Sequence, residues 1–158
     1  MGDDRVLFER LSLEIFQAGL SWLTVLMKRK AFRAAFCGFD PEKVAAFGEA
    51  DLDRLLSDPA IIRNRRKIEA VVANAQTVLD LQRESGSFAA WIAARHPLSK
   101  ADWVRLFRRH FRFMGPEVVG EFLLSIGYLP GAHRPDCPVA KRIAELSPPW
   151  MNPSPVRR

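Results

Sequence analysis

The sequence has little cysteine, no apolar run long enough to cross a membrane, and no sustained alternation of apolar and polar residues. Cys37 and Cys137 are its two cysteines; they cannot form a disulfide framework, which fits a reducing compartment and a cytoplasmic location. The longest charge-poor stretch, residues 11–27, is interrupted by Glu14, Gln17 and two serines, so neither a membrane span nor a signal peptide fits it. Without alternation beyond a few residues there is nothing from which to build a half-buried sheet. Fixed-period repeats and long linkers are missing as well. What is present is 48% hydrophobic and 27% charged residues in a chain of 158, enough apolar material for one core. That composition excludes disorder of the whole chain.

Apolar spacing is helical nearly throughout, and the fold class is all-α. A first helix is predicted from 6 to about 20, with Gly19 and Ser21 marking a bend before a second from 22 to about 36. Asp40 and Pro41 open a short third helix, because Asp caps free amides and Pro fits a first turn that needs no donor. A fourth covers 49–57. Ile68, Val71, Val72, Ala75, Val78 and Leu79 mark a long amphipathic helix from about 64 to 84, ended by Ser85-Gly86. A short helix at 87–95 is followed by one from Ser99 to about 110, opened by a capping box with Asp102 in the acidic position. Residues 111–116 then form a tight connection in which Gly115 is expected to supply a positive φ, and Pro116 starts a helix to about 127. A last short helix is expected near 139–146. Residues 1–146 thus make one helical domain, and the tail 147–158, with four prolines, is not expected to fold.

Charge is unevenly placed. The net charge is +6, from 24 Lys and Arg against 18 Asp and Glu. Three windows, 28–33, 63–67 and 100–112, hold 13 of those 24 basic residues with Asp102 as their only acid. The remainder of the chain is acidic, so a basic face rather than a basic protein is implied, and such clustering suits a polyanion.

Several residues stand out chemically. Glu14 is the only charge within 11–27 and falls on a helical stripe with Leu7, Leu11 and Ala18. A carboxylate there either holds a buried cation or amide as a structural pair, or titrates upward as a functional group. Trp22 follows the Gly19-Leu20-Ser21 bend; an aromatic face meeting a carboxylate at a helix junction can hold a flat ring bearing amino groups, though a single Trp is more often core. Arg63, Arg65, Arg66 and Lys67 sit where an apolar turn enters a helix, and Met114-Gly115 follows Arg108, Arg109 and Arg112. Two turns with clustered cations and helix-start amides fit a phosphate backbone, against the alternative of a solvated charged face. Glu117 and Glu121 oppose close phosphate contact unless they point away. His133 and Cys137 have metal-ligand spacing, but two ligands alone do not make a tetrahedral site. Asp136 is either a loop or cap residue or a general base near the hairpin.

These residues carry a resemblance. The segments Leu13-Glu14-Ile15-Phe16-Gln17-Ala18-Gly19-Leu20-Ser21-Trp22, Phe39-Asp40-Pro41-Glu42-Lys43-Val44-Ala45 and Ile61-Ile62-Arg63-Asn64-Arg65-Arg66-Lys67-Ile68 resemble the DNA-3-methyladenine glycosylase I family. Phe111-Arg112-Phe113-Met114-Gly115 and His133…Cys137 follow in the same order, so the likeness covers roughly 4–146. It implies a helix-hairpin-helix base-excision enzyme of DNA repair, a monofunctional hydrolase that flips 3-methyladenine out of alkylated double-stranded DNA and cleaves its glycosidic bond. By that resemblance Glu14 bonds the lesion base, Trp22 stacks on it, Gln17, Gly19 and Leu20 lie at the DNA opening, and the Met114-Gly115 hairpin tracks phosphates. It also implies a structural zinc ion held partly by His133 and Cys137. The family draws its other zinc ligands and a pocket tyrosine from a segment upstream of the first helix; this chain begins where that segment would be ending, so full zinc binding by this chain is not expected. No membrane association and a monomeric state are expected. The competing readings are a non-catalytic helix-hairpin-helix DNA-binding module and an interaction protein with an acidic partner.

Overall fold

In the computed structural model, which describes residues 3–130 and residue 149, every regular element is helical. The first helix, α1 (Asp4–Gln17), begins at an Asp3 cap whose carboxylate accepts from the Arg5 amide at 2.9 Å. It ends before residue 18, a turn earlier than the apolar pattern predicts. The chain then reverses through Gly19 at φ 83, with the Leu20 amide bonding Gln17 O at 2.7 Å. This left-handed step is why the bend needs glycine.

The segment predicted as one helix over 22–36 is two. α2 (Trp22–Met27) is capped by Ser21, and α3 (Arg29–Ala35) restarts at Lys28, whose ψ of 2° interrupts the helical path. The break brings the Phe32 ring to 4.6 Å from that of Phe16. A single 3-10 turn, Cys37–Phe39, follows with positive φ at all three residues. Sequence pattern gave no sign of it, since Cys and Phe seldom adopt that region.

The later elements lie close to expectation: α4 (Pro41–Ala45), α5 (Glu49–Leu56), α6 (Arg65–Ser85), α7 (Phe88–Arg95), α8 (Lys100–His110) and α9 (Pro116–Ser125). Caps expected at Asp40 and Ser99 are formed, and Gly86 closes α6 at φ 88. Asp102, however, does not complete a box; its carboxylate pairs with Arg105 at 3.0 Å. The helix expected near 139–146 and the tail 147–158 lie outside the described residues, apart from residue 149.

Burial explains the assembly. One cluster stacks Phe8, Phe16, Phe32, Phe36 and Phe39 beneath α1, and another packs Phe88, Trp91, Trp103, Phe107 and Phe122 between α7, α8 and α9. Each fully buried aromatic contributes on the order of 2–3 kcal/mol of transfer free energy. α6 runs between the clusters and packs on α1, α4, α5 and α7. Asp4 ties the start of α1 to the start of α7, accepting from the amides of Phe88 at 2.9 Å and Ala89 at 3.2 Å. Among the described residues no helix is long and apolar enough to cross a membrane.

Candidate active site

The end of α1 and the start of α9 face each other across a cavity of about 500 Å³. Its walls are Glu14, Gln17, Ala18, Gly19, Leu20, Glu117, Val118 and Glu121. The volume suits a purine, since small-ligand sites span roughly 300–1,000 Å³. Glu14 is only 8% exposed, and among the described residues no hydrogen bond or ion pair reaches its carboxylate. Burial first, and then the charge of Glu121, raise its pKa from 4.5 to about 7, against an opposing pull from Arg10. Arg10 does not serve as a structural partner; its guanidinium donates to Ser125 O at 3.0 Å. The structural-pair alternative for Glu14 therefore has no bonded partner among the described residues.

Gln17, Gly19 and Leu20 come to this cavity with Glu14. Trp22 does not line it. As the first residue of α2 it is 42% exposed, and with Leu20, Leu23, Leu26 and Met27 it forms the exposed apolar strip of the molecule's described surface. The Gly19 reversal and the Ser21 cap, whose Oγ accepts from the Thr24 amide at 3.2 Å, start a new helix at Trp22 and leave its ring outside the cavity lining.

Lys67 needs correction as a phosphate contact. It is buried, and its Nζ donates to Ala18 O at 2.7 Å and Phe16 O at 3.2 Å. The ammonium thus closes the carbonyl end of α1 and anchors the loop that forms the cavity wall. Desolvation lowers its pKa. Arg65 pairs with Glu69 at 2.8 Å, while Arg63 and Arg66 remain exposed with no ion pair among the described residues. In the first basic window Arg29 and Arg33 both converge on buried Glu9, at 3.0 and 2.7 Å.

The hairpin between α8 and α9 also departs from expectation. Gly115 has φ −74, and the left-handed residue is Phe113 at φ 64. A Cβ at Gly115 would meet nothing within 4 Å, so neither its backbone nor its packing requires glycine. Met114 is buried and serves the core. Among the described residues no hydrogen bond takes the amides of Gly115, Glu117 and Val118, so the start of α9 presents free donors. Arg108, Arg109 and Arg112, in the last turn of α8 and the hairpin after it, are exposed and make no ion pair among the described residues.

Sequence reasoning overlooked Asn74 and the place of Glu117 and Glu121 in the cavity wall. Asn74, 1% exposed on α6, accepts from the Arg112 amide at 2.7 Å and donates to Arg112 O at 3.1 Å, fixing the hairpin from below. Thr77 adds a bond to His110 O at 3.0 Å. Polar residues one turn apart on an amphipathic helix were the available signal. Glu117 and Glu121, four apart on α9, share a face, and that face is the cavity wall. His133, Asp136 and Cys137 lie outside the described residues. Among those described, no group of His, Cys, Asp or Glu is arranged to hold a metal ion.

Comparison with known proteins agrees with this architecture. A family model described as methyladenine glycosylase matches residues 1–141. DNA-3-methyladenine glycosylase 1 of Escherichia coli (strain K12) is 37% identical over 148 residues, spanning 79% of this chain and 77% of its own length. The DNA-3-methyladenine glycosylase of Haemophilus influenzae is 36% identical over 155 residues, spanning 86% and 83%. A crystal structure of 3-methyladenine DNA glycosylase I superposes with a TM-score of 0.77 at 35% identity, covering 87% of this chain and 85% of that one. A complex of the same kind of enzyme with 3-methyladenine gives 0.75 at 36% identity, covering 87% and 84%. The buried carboxylate, the cavity beside it and the hairpin opposite thus belong to a chain that is a member of the methyladenine glycosylase family.

Proposed function

We propose that this chain excises 3-methyladenine from alkylated DNA by hydrolysing the bond between the base and its deoxyribose. The observation that carries the reading furthest is Glu14, a buried carboxylate without a bonded partner among the described residues, opening onto a cavity of purine size. Methylation at N3 makes the base in DNA cationic. A carboxylate held in low dielectric then gains far more from the lesion than from neutral adenine.

The chemistry asks little else of the protein. When the bond from C1′ to N9 breaks, its electron pair moves onto the base and cancels the positive charge. Water adds to C1′ of the sugar cation and releases a proton. Glu14 accepts a hydrogen bond from the base and orients it for departure, and no amine nucleophile is needed. The enzyme is therefore monofunctional.

Reaching the base requires flipping it from the stack. The free amides at Gly115, Glu117 and Val118, with Arg108, Arg109 and Arg112, hold phosphates without reading sequence. Leu20, 43% exposed at the cavity mouth, fills the space that the extruded nucleotide leaves. Trp22, exposed and two residues after the wall residue Leu20, offers an open ring on which the base stacks as it enters.

The test is release of free 3-methyladenine from methylated duplex DNA. Wild-type protein releases it; Glu14→Gln lowers kcat/KM by about a hundredfold, the scale of losing one charge-assisted contact in a buried site. Trp22→Ala gives a smaller loss. Salt-sensitive DNA binding without any release would instead identify a non-catalytic DNA-binding module.

A further inference from the structure

The wall opposite Glu14 is acidic, and this matters because the chain as a whole is not. Glu121 and Glu117 line the cavity from successive turns of α9, and among the described residues none lining the cavity carries a positive charge. Neither glutamate makes an ion pair among the described residues, although most other carboxylates near the basic windows do. Arg10 on α1, whose charge opposes the rise in the Glu14 pKa, is bonded to Ser125 O. A pocket so lined concentrates negative potential on whatever occupies it.

We propose that Glu121 is a specificity-determining residue: it supplies the second carboxylate of the base pocket, and the Glu14–Glu121 pair selects purines that carry a fixed positive charge. This rests on the cavity being the lesion-base site. A neutral purine entering between two carboxylates must tolerate their mutual repulsion, whereas a cationic one relieves it. Glu14 alone distinguishes the two by one charge interaction; Glu121 roughly doubles the difference at little cost, because it is exposed and stays hydrated until the pocket is filled.

Repulsion from Glu121 adds to burial in raising the Glu14 pKa. Among the described residues, Glu121 on α9 and Arg10 on α1 act on Glu14, Glu117 on α9 shares the cavity wall, and the Lys67 ammonium on α6 bonds the carbonyl oxygen of the wall residue Ala18. Removing Glu121 therefore lowers the midpoint at which Glu14 ionises, and a merely structural role for Glu121 would not.

The experiment uses the full chain and two probes that need no turnover. 3,9-Dimethyladeninium carries the fixed charge of the lesion; 9-methyladenine is its neutral counterpart. Glu121→Gln weakens binding of the cation about tenfold and of the neutral base less than twofold. Glu121→Asp keeps most of the preference. Carbon-13 titration of the Glu14 carboxyl shows its midpoint falling in Glu121→Gln. Equal loss for both probes, or an unchanged preference and midpoint, overturns the proposal. If wild-type protein releases 3-methyladenine while Glu121→Gln keeps its cation preference, only this inference fails. If cation preference depends on Glu121 but wild-type protein releases nothing, the proposed function fails and the pocket assignment stands.

Discussion

Glu14 is a residue whose ionised form the fold holds at a cost. Its pKa is raised from 4.5 to about 7, so the folded state holds a proton that the unfolded chain gives up earlier. The favourable contribution is full below about pH 4.5 and is lost as pH rises through 7. Above that, ionised Glu14 costs the folded state on the order of 3 kcal/mol. Glu14→Gln removes the cost. Urea unfolding at pH 8 should find the variant more stable by ~1–3 kcal/mol, with little difference at pH 4.5, and glycosylase activity should fall in the same protein. A loss of stability at both pH values would mean that the carboxylate holds a structural partner. Glu14 was legible in the sequence because it is a solitary charge in an apolar stretch. Lys67 was not: within a run of cations nothing local says that this one turns inward, since the carbonyls it satisfies belong to Phe16 and Ala18, far away along the chain.

At the scale of elements, helices were readable because caps and apolar periodicity are local, while turns depended on which residue takes the left-handed step. Gly19 was assigned correctly; the hairpin was not, since Phe113 rather than Gly115 has positive φ. The two glycines therefore predict opposite behaviour. Gly19→Ala forces a side chain into φ 83 and should cost about 1 kcal/mol by thermal or denaturant unfolding. Gly115→Ala, at φ −74 with open space around its Cβ, should fold within about 0.5 kcal/mol of wild type. On the proposed phosphate contact at this hairpin, the added methyl should lower DNA affinity while binding of the free base does not change. Asn74 supplies the complementary test. Asn74→Ala leaves the Arg112 amide and carbonyl without their buried partner, at a cost of roughly 1–3 kcal/mol. Hydrogen exchange should then rise across residues 111–115 and leave α1 unchanged.

For the whole molecule, clustering of cations was legible but their availability was not, because ion pairing is a property of the folded chain. Arg29 and Arg33 neutralise Glu9, Arg65 neutralises Glu69, Arg105 neutralises Asp102, and Lys67 is buried. What remains exposed and unpaired among the described residues includes Arg63, Arg66, Arg108, Arg109 and Arg112, distributed over the start of α6 and the hairpin. On the proposed function these exposed cations hold any DNA, and the acidic cavity accepts a base whose charge offsets its own. Counterion release makes this division measurable, since each phosphate neutralised contributes a slope of about −0.9 to the dependence of log affinity on log salt. Replacing Arg108 and Arg112 together by Gln should flatten the slope by nearly 2 and weaken methylated and unmethylated DNA alike. Replacing Arg29 and Arg33 should leave the slope almost unchanged and instead destabilise the fold by ~3 kcal/mol or more, because Glu9 is left charged and buried. Salt titrations of DNA binding beside denaturant unfolding of the same two double variants separate these effects. Equal slopes for both pairs would mean that the DNA contacts the face of α3 as well, and that the ion pairs with Glu9 exchange for phosphate on binding.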